Sequence, residues 1–176
     1  MAGMPPGSPV LTERLLIRPA QESDRARMVS LWTDEDFMVF APGPKSEEAA
    51  RRRFDHMLEV AEDVPFAKQP VIERASGVIV GYTGVDWFDY QGRPQLEFGW
   101  RLAPGYRGFG YATEAAQALL DQARRTFVGE IFVIIDLENL ASQNVCRKLG
   151  FTPLGQASLY GGLKNLYRMA FEQARL

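Results

Sequence analysis

The sequence predicts an α/β fold, a single domain built on a mixed central sheet with one parallel strand pair. Three observations carry this expectation. Residues 95–102 read as a strand, because Leu96, Phe98, Trp100 and Leu102 alternate with Gln95, Glu97, Gly99 and Arg101. A glycine-rich turn follows. From Tyr111 the period becomes helical, with Ala112, Ala115, Ala116, Leu119, Ala123 and Phe127 on one face up to about residue 127. Residues 131–135 are then apolar at every position, as in a strand buried on both faces. A strand, a helix and a strand joined in this way imply a right-handed parallel crossover.

The other elements complete the order β-α-α-β-β-β-α-β-α-β-β. Residues 1–9 are rich in Pro and Gly and are expected to be a loose tail before a domain of residues 10–176. Residues 10–19 form the first strand, stopped by Pro19. Glu22, Ser23 and Asp24 make an acidic, capping-type start for a helix to about Trp32, with Met28, Leu31 and Trp32 inward. Residues 41–45, with Pro42 and Pro44, are a break. Ser46, Glu47 and Glu48 open a second helix that carries Phe54, Met57, Leu58 and Ala61 inward. Its consecutive Arg51, Arg52 and Arg53 cannot share one face and read as solvated surface, a phosphate contact being the alternative. Residues 65–73 and 78–87 are strands about the turn at Ala75, Ser76 and Gly77, and a second turn at 89–94 completes an antiparallel meander. After residue 135 come a helix at 140–149, Gly150 as its left-handed terminator, and strands at 152–159 and 163–172 turned by Gly161 and Gly162.

Composition bounds the function. A chain of 176 residues, 46% apolar and 24% charged, is one globular domain with room for a real core. A net charge of −2 gives no electrostatic case for nucleic acid or an anionic membrane as partner. The single Cys146 forms no intrachain disulfide and fits a reducing cytoplasm; with one His it cannot build a Cys/His zinc site. No apolar run approaches a membrane span. Monomer and homodimer both remain open, with Trp87, Phe88 and Tyr90 as candidate interface aromatics.

The glycine turn is where chemistry is expected. Gly105, Gly108 and Gly110 remove side chains where backbone must bend or approach a ligand. The unpaired N–H groups of the next helix open into this turn beside Arg107, which suits a phosphate or pyrophosphate. No Lys follows Gly110, as a Walker loop needs, and Thr113 stands where a dinucleotide fingerprint needs Gly or Ala. What remains is Arg107-x-x-Gly110-x-Ala112, which by itself fits either a phosphate loop or glycines placed for packing. A second stretch, residues 139–151, reads as a helix capped by Asn139, packed through Val145, Cys146 and Leu149, and ended by Gly150.

The two stretches together resemble the GNAT N-acetyltransferase superfamily. Residues 107–115 match its phosphate loop, and Asn139-x-x-Ser142 followed by Lys148, Leu149, Gly150 and Phe151 is similar to the helix beside its pantetheine arm. Residues 11–19 with Asp24 look like the ribosomal-protein N-terminal-acetyltransferase (RimJ/RimL-type) branch. The resemblance covers about residues 11–167 and implies an acyl-CoA N-acyltransferase fold, its sheet splayed at the parallel pair near Leu102. It implies acetyl-CoA as co-substrate and no metal. It also implies transfer of acetyl by direct attack to an amine acceptor, a peptide N-terminus or a small molecule.

The implied roles follow by position. Backbone N–H groups of Arg107, Gly108, Phe109, Gly110, Tyr111 and Ala112 would hold the pyrophosphate, with Arg107 adding a charge-assisted contact and Thr113 a hydroxyl. Trp100, Arg101 and Leu102 would supply the free strand edge, Asn139 would bond the pantetheine arm, and Lys148 lies on the same helix. The family often places a Tyr where this chain has Cys146, so Ser142 is the preferred proton donor to the leaving thiolate. Residues 156–162 lack the carboxylate some relatives use, which leaves Glu97 as the candidate base and Tyr160 as a second candidate. Each also reads otherwise: Glu97 as an outward strand residue, Tyr160 as a strand aromatic, His56 as a surface residue and Cys146 as core. The linker from Asp34 to Pro44 is expected to shape acceptor choice. An acyl-CoA-binding module without catalysis, and an anion-binding or structural domain without CoA, are the competing readings.

Overall fold

The structure is a computed structural model that describes residues 8–41, 46–64 and 66–172. Its strands are β1 (Val10–Leu11), β2 (Leu15–Ile17), β3 (Gln69–Glu73), β4 (Ile79–Tyr90), β5 (Arg93–Leu102), β6 (Gly129–Asp136), β7 (Thr152–Leu159) and β8 (Gly162–Phe171). Its helices are α1 (Arg25–Thr33), α2 (Glu47–Asp63), α3 (Tyr111–Ala123) and α4 (Leu140–Leu149). The strands form one sheet in the order β1-β2-β3-β4-β5-β6-β8-β7. Among them only β5 and β6 run parallel, as the crossover through α3 requires.

Several boundaries differ from the sequence expectation. The expected first strand is two strands, β1 and β2, folded back on each other. Thr12 makes the turn: its hydroxyl accepts from the Leu15 amide at 2.9 Å, and its amide donates to the Leu15 carbonyl at 2.9 Å. β3 begins only at Gln69, because residues 66–68 loop against β4. There the Val85 amide donates to Phe66 O at 2.9 Å and the Lys68 amide to Val85 O at 2.8 Å. Gly84 makes this approach possible, since a Cβ on it would stand 2.3 Å from the Ala67 carbonyl oxygen. α3 stops at Ala123 rather than near Phe127, which instead packs edge-on against Phe66 and Phe171. The β7–β8 turn is Tyr160-Gly161, at φ 53° and 78°, one residue earlier than expected. Pro42, Pro44, Lys45, Pro65 and tail residues 1–7 lie outside the described residues.

Helices cover both faces. α1 and α2 bury Met28, Trp32, Phe54 and Met57 against Ile72, Ile79 and Tyr82. α3 and α4 bury Leu119, Leu120, Cys146 and Leu149 against Phe98, Ile131, Val133 and Ile135 on the other. Phe98 has no exposed surface and lies between Trp100 and Phe151, at ring-centroid distances of 6.1 and 6.4 Å. This packing holds β5 and β6 at one end. Their pairing is confined to Leu96–Ile131 and Glu97–Phe132. Beyond it the strands diverge, so the splay opens at Phe98, earlier than the expected position near Leu102.

Candidate active site at the strand gap

The gap exposes backbone on a known phase. The Ala103 amide donates to Val80 O at 2.8 Å, so Ala103, Arg101, Gly99 and Glu97 turn their amides toward β4. By alternation, Phe98, Trp100 and Leu102 turn theirs into the gap. Arg101 therefore offers no amide to the gap, contrary to the expectation that it shares that edge with Trp100 and Leu102. It reaches the site through its guanidinium instead, which lies 5.9 Å above the Phe37 ring with Nη1 3.2 Å from Met38 Sδ.

Two cavities meet at this gap. One, of about 370 Å³, runs from Trp100, Arg101 and Leu102 past Arg107, Gly108, Gly110, Tyr111, Ala112 and Thr113, with Asn139, Ser142 and Lys148 on its far wall. The other, of about 530 Å³, is lined by Arg53, Lys68, Tyr82, Asp86, Glu97, Gly99, Tyr160 and Lys164. They share Val39, Phe40, Trp100, Arg101, Asn139 and Ser142. Val39 and Phe40 belong to the linker after α1 and form its contribution to both walls.

The first cavity ends in an anion cradle. Gly108 and Gly110 take φ of 83° and 82°, which a side chain would strain. Among the described residues, no amide from Gly108 to Thr113 donates a hydrogen bond. Six unspent donors at the positive end of α3 suit a pyrophosphate. The loop is braced from the β1–β2 turn: Arg14 Nη1 donates to Phe109 O at 2.9 Å, and Arg14 Nε to Glu114 Oε2 at 2.7 Å. Glu114 also accepts from the Thr12 hydroxyl at 2.6 Å and the Arg14 amide at 3.0 Å. Burial opposes ionisation of Glu114, but these bonds outweigh it and hold its carboxyl below the usual range. Arg107 is otherwise engaged: its Nε donates to Leu102 O at 3.0 Å and its Nη2 to Asp36 O at 2.8 Å, latching the linker after α1 onto the end of β5. Phe109 is 63% exposed and lines neither cavity.

At the meeting point Asn139 caps α4, its Oδ1 accepting from the Ser142 amide at 3.1 Å. Among the described residues, its amide nitrogen and the Ser142 hydroxyl have no hydrogen-bond partner. Cys146 stays in the core with no exposed surface, and burial pushes its thiol up to about 12. Tyr160 in its left-handed turn donates its phenol to Glu97 Oε2. Partial burial and the neighbouring Glu97 carboxylate raise the Tyr160 phenol well above its ordinary value, so it stays protonated. Asp86, paired across the ladder with Glu97, has its Oδ1 3.0 Å from His56 Nε2, which donates to it, and its Oδ2 3.9 Å from Lys68 Nζ. His56 is exposed, as expected.

Sequence reasoning missed four lining residues: Lys68, Tyr82, Asp86 and Lys164. It also misplaced Arg53, which leaves the solvated run and lies 5.2 Å over Trp32 and 5.9 Å over Tyr82, while Arg51 and Arg52 pair with Glu47 and Glu48 at the surface. The 100° step between neighbours on a helix was the available signal. Tyr82 is buried, which would raise its phenol. The charges of Arg101, Arg53 and Lys68 together reverse this and bring it down to about 8. Among the described residues there is no cluster of three or more His, Cys, Asp or Glu that could hold a metal ion, and no helix long and apolar enough to cross a membrane.

Comparison with known proteins assigns the class. Residues 14–152 match the family model described as an acetyltransferase (GNAT) domain, and the chain belongs to that family. It is thus an acetyl-CoA-dependent acyltransferase by family. The uncharacterized N-acetyltransferase YnaD of Bacillus subtilis is 30% identical over 143 residues, 80% of this chain and 81% of YnaD. A GNAT-family acetyltransferase structure from Bacillus anthracis matches with a TM-score of 0.74 at 26% identity, covering 94% of this chain and 100% of that one. A RimL ribosomal L7/L12 alpha-N-protein acetyltransferase in complex with coenzyme A matches with a TM-score of 0.78 at 18% identity, over 93% and 98% of the two chains. That last likeness is one of fold.

Proposed function

We propose that this protein is an N-acetyltransferase that moves acetyl from acetyl-CoA to a primary amine by direct attack within a ternary complex. The observation that carries the reading is the meeting of two cavities at the β5–β6 gap, around Trp100, Asn139 and Ser142. The narrower cavity with its unspent amides fits the CoA arm and pyrophosphate; acetyl-CoA supplies an activated thioester. The Trp100 and Leu102 amides stand where backbone donors would stabilise charge on a carbonyl oxygen. Ser142 is the group for the departing thiolate, Glu97 accepts the ammonium proton, and Tyr160 orients Glu97. Asn139 and Lys148 line the CoA side, and Thr113 stands at the cradle. Burial of Cys146 favours the second reading, an acyl-CoA-binding module without turnover, since no acid replaces the usual Tyr at that position. The amine is a peptide N-terminus or a small molecule, and the RimJ/RimL-type branch, a cytoplasmic location and a monomeric or homodimeric state belong to the same proposal. The branch rests on the N-terminal motif and the location on the single cysteine.

The test is calorimetric titration with acetyl-CoA, then thiol release against amines and N-terminal peptides. Binding with acceptor-dependent release is the expected result. Binding with no release across the panel supports the module reading, and no binding by folded protein overturns both.

A further inference from the structure

Resting on that reading, we infer that the acceptor amine also carries a carboxylate, held by Arg53 and Arg101 in the larger cavity.

The ladder of β4 and β5 places the charges. Tyr82 pairs with Arg101, Gly84 with Gly99, and Asp86 with Glu97, and alternation puts all six on one sheet face. That face is polarised. Its acidic end holds Asp86 and Glu97, and Tyr160 donates to Glu97. Its basic end holds Arg101, with Arg53 brought over Tyr82 from α2. Four residues of strand separate the ends, about 13 Å of backbone, less the reach of the side chains. Gly99 leaves the floor between them bare, and the Lys68 chain lies across it, its Cε 3.9 Å from where a Cβ of Gly99 would stand.

Pairing decides which charges remain for a ligand. Lys164 is spent on Asp136 at 2.6 Å and Lys68 lies near Asp86. Among the described residues, neither Arg53 nor Arg101 has a carboxylate partner; both guanidiniums rest on aromatic rings. Half-buried, ring-stacked guanidiniums without counter-charge are placed to take a planar anion. A carboxylate fits two such forks. The same cations, with Lys68, hold the Tyr82 phenol low, as a positive potential at that end requires. A bare polyamine would meet repulsion there. The acceptor is thus a zwitterionic amine of amino-acid type, its ammonium toward Glu97 and its carboxylate toward the arginines.

The experiment uses matched pairs of amines: amino acids of varied side chain, each with its carboxamide and its decarboxylated amine. Both acetyl transfer and saturable binding to the protein with acetyl-CoA present are measured. The carboxylate member is expected to show a kcat/KM about ten- to a hundredfold above its partners, expressed in KM. Arg53→Met should raise KM for the carboxylate amine about tenfold and erase the preference, and Arg53→Lys should restore part of it. Equal or better use of the carboxylate-free partners overturns the inference while leaving the enzyme standing. Binding of carboxylate amines without transfer upholds the inference and sinks the enzymatic reading. No saturable binding and no transfer of any carboxylate amine overturns the inference. If Arg53→Met loses helical content, Arg101→Met replaces it with the same expected outcomes.

Discussion

Single side chains divide the chemistry at the gap. Ser142 has a free hydroxyl on the wall common to both cavities, and its amide is held by the Asn139 cap. Ser142→Ala should therefore lower kcat about tenfold or more and leave the acetyl-CoA Kd nearly unchanged, read by single-turnover kinetics beside calorimetry. An unchanged kcat on a verified acceptor removes Ser142 from the mechanism. Cys146 makes the opposite case. It occupies the position where the family resemblance leads one to expect a Tyr, yet its thiol is in the core and raised to about 12 by burial. Cys146→Ala should keep kcat and cost about 1 kcal/mol of stability, measured by urea unfolding. A large fall in kcat with little loss of stability would give the thiol a chemical role.

At the scale of elements, the start of α3 is where one substitution reaches furthest. Gly110 caps the helix at φ 82°, and a Cβ on it would stand 3.5 Å from Arg14 Nη2, which braces the cradle. Gly110→Asp adds left-handed strain and a negative charge at the anion site, so acetyl-CoA binding should vanish while the circular dichroism spectrum persists. Retained binding would move the pyrophosphate elsewhere. The approach to α1 has its own lock. Asp24 accepts from Arg18 Nη1 at 2.7 Å, Arg18 Nη2 at 2.9 Å and the Gln21 amide at 2.8 Å. Burial would raise the Asp24 carboxyl, but these donors win and hold it below the usual carboxylate range. Its contribution to stability is complete above the unfolded-state value and is lost as pH falls through the lower folded value. Asp24→Asn should cost about 3 kcal/mol at neutral pH and much less in acid, read from denaturant midpoints across pH. A loss independent of pH would mean that Asp24 acts by shape alone.

Across the whole molecule, what the sequence made legible was what is local. Period, glycine and cap placed the β5–α3–β6 crossover and α4, because each signal lies within a few residues of what it predicts. The sequence did not place Arg53, Lys68 and Tyr82 together, since α2, the loop before β3 and β4 meet only through tertiary packing. The hairpin at Thr12 was hidden for the same reason: Glu114, which fixes it, is far away in sequence. This also explains why ligand and fold are coupled here. The cradle is braced by Arg14 from the β1–β2 turn, its outer wall by the Arg107 latch to Asp36, and the gap by the packing of Phe98. A ligand seated along that line binds the native arrangement of four separate segments and has no counterpart in the unfolded chain. Acetyl-CoA at a hundred times its Kd should then add about 2.7 kcal/mol, or roughly 5–10 °C in melting temperature. Arg14→Ala should shrink that shift by weakening the affinity, beyond any fall in the melting temperature of the ligand-free protein. A ligand shift equal to the wild type's would mean that the brace serves the fold and not the cradle.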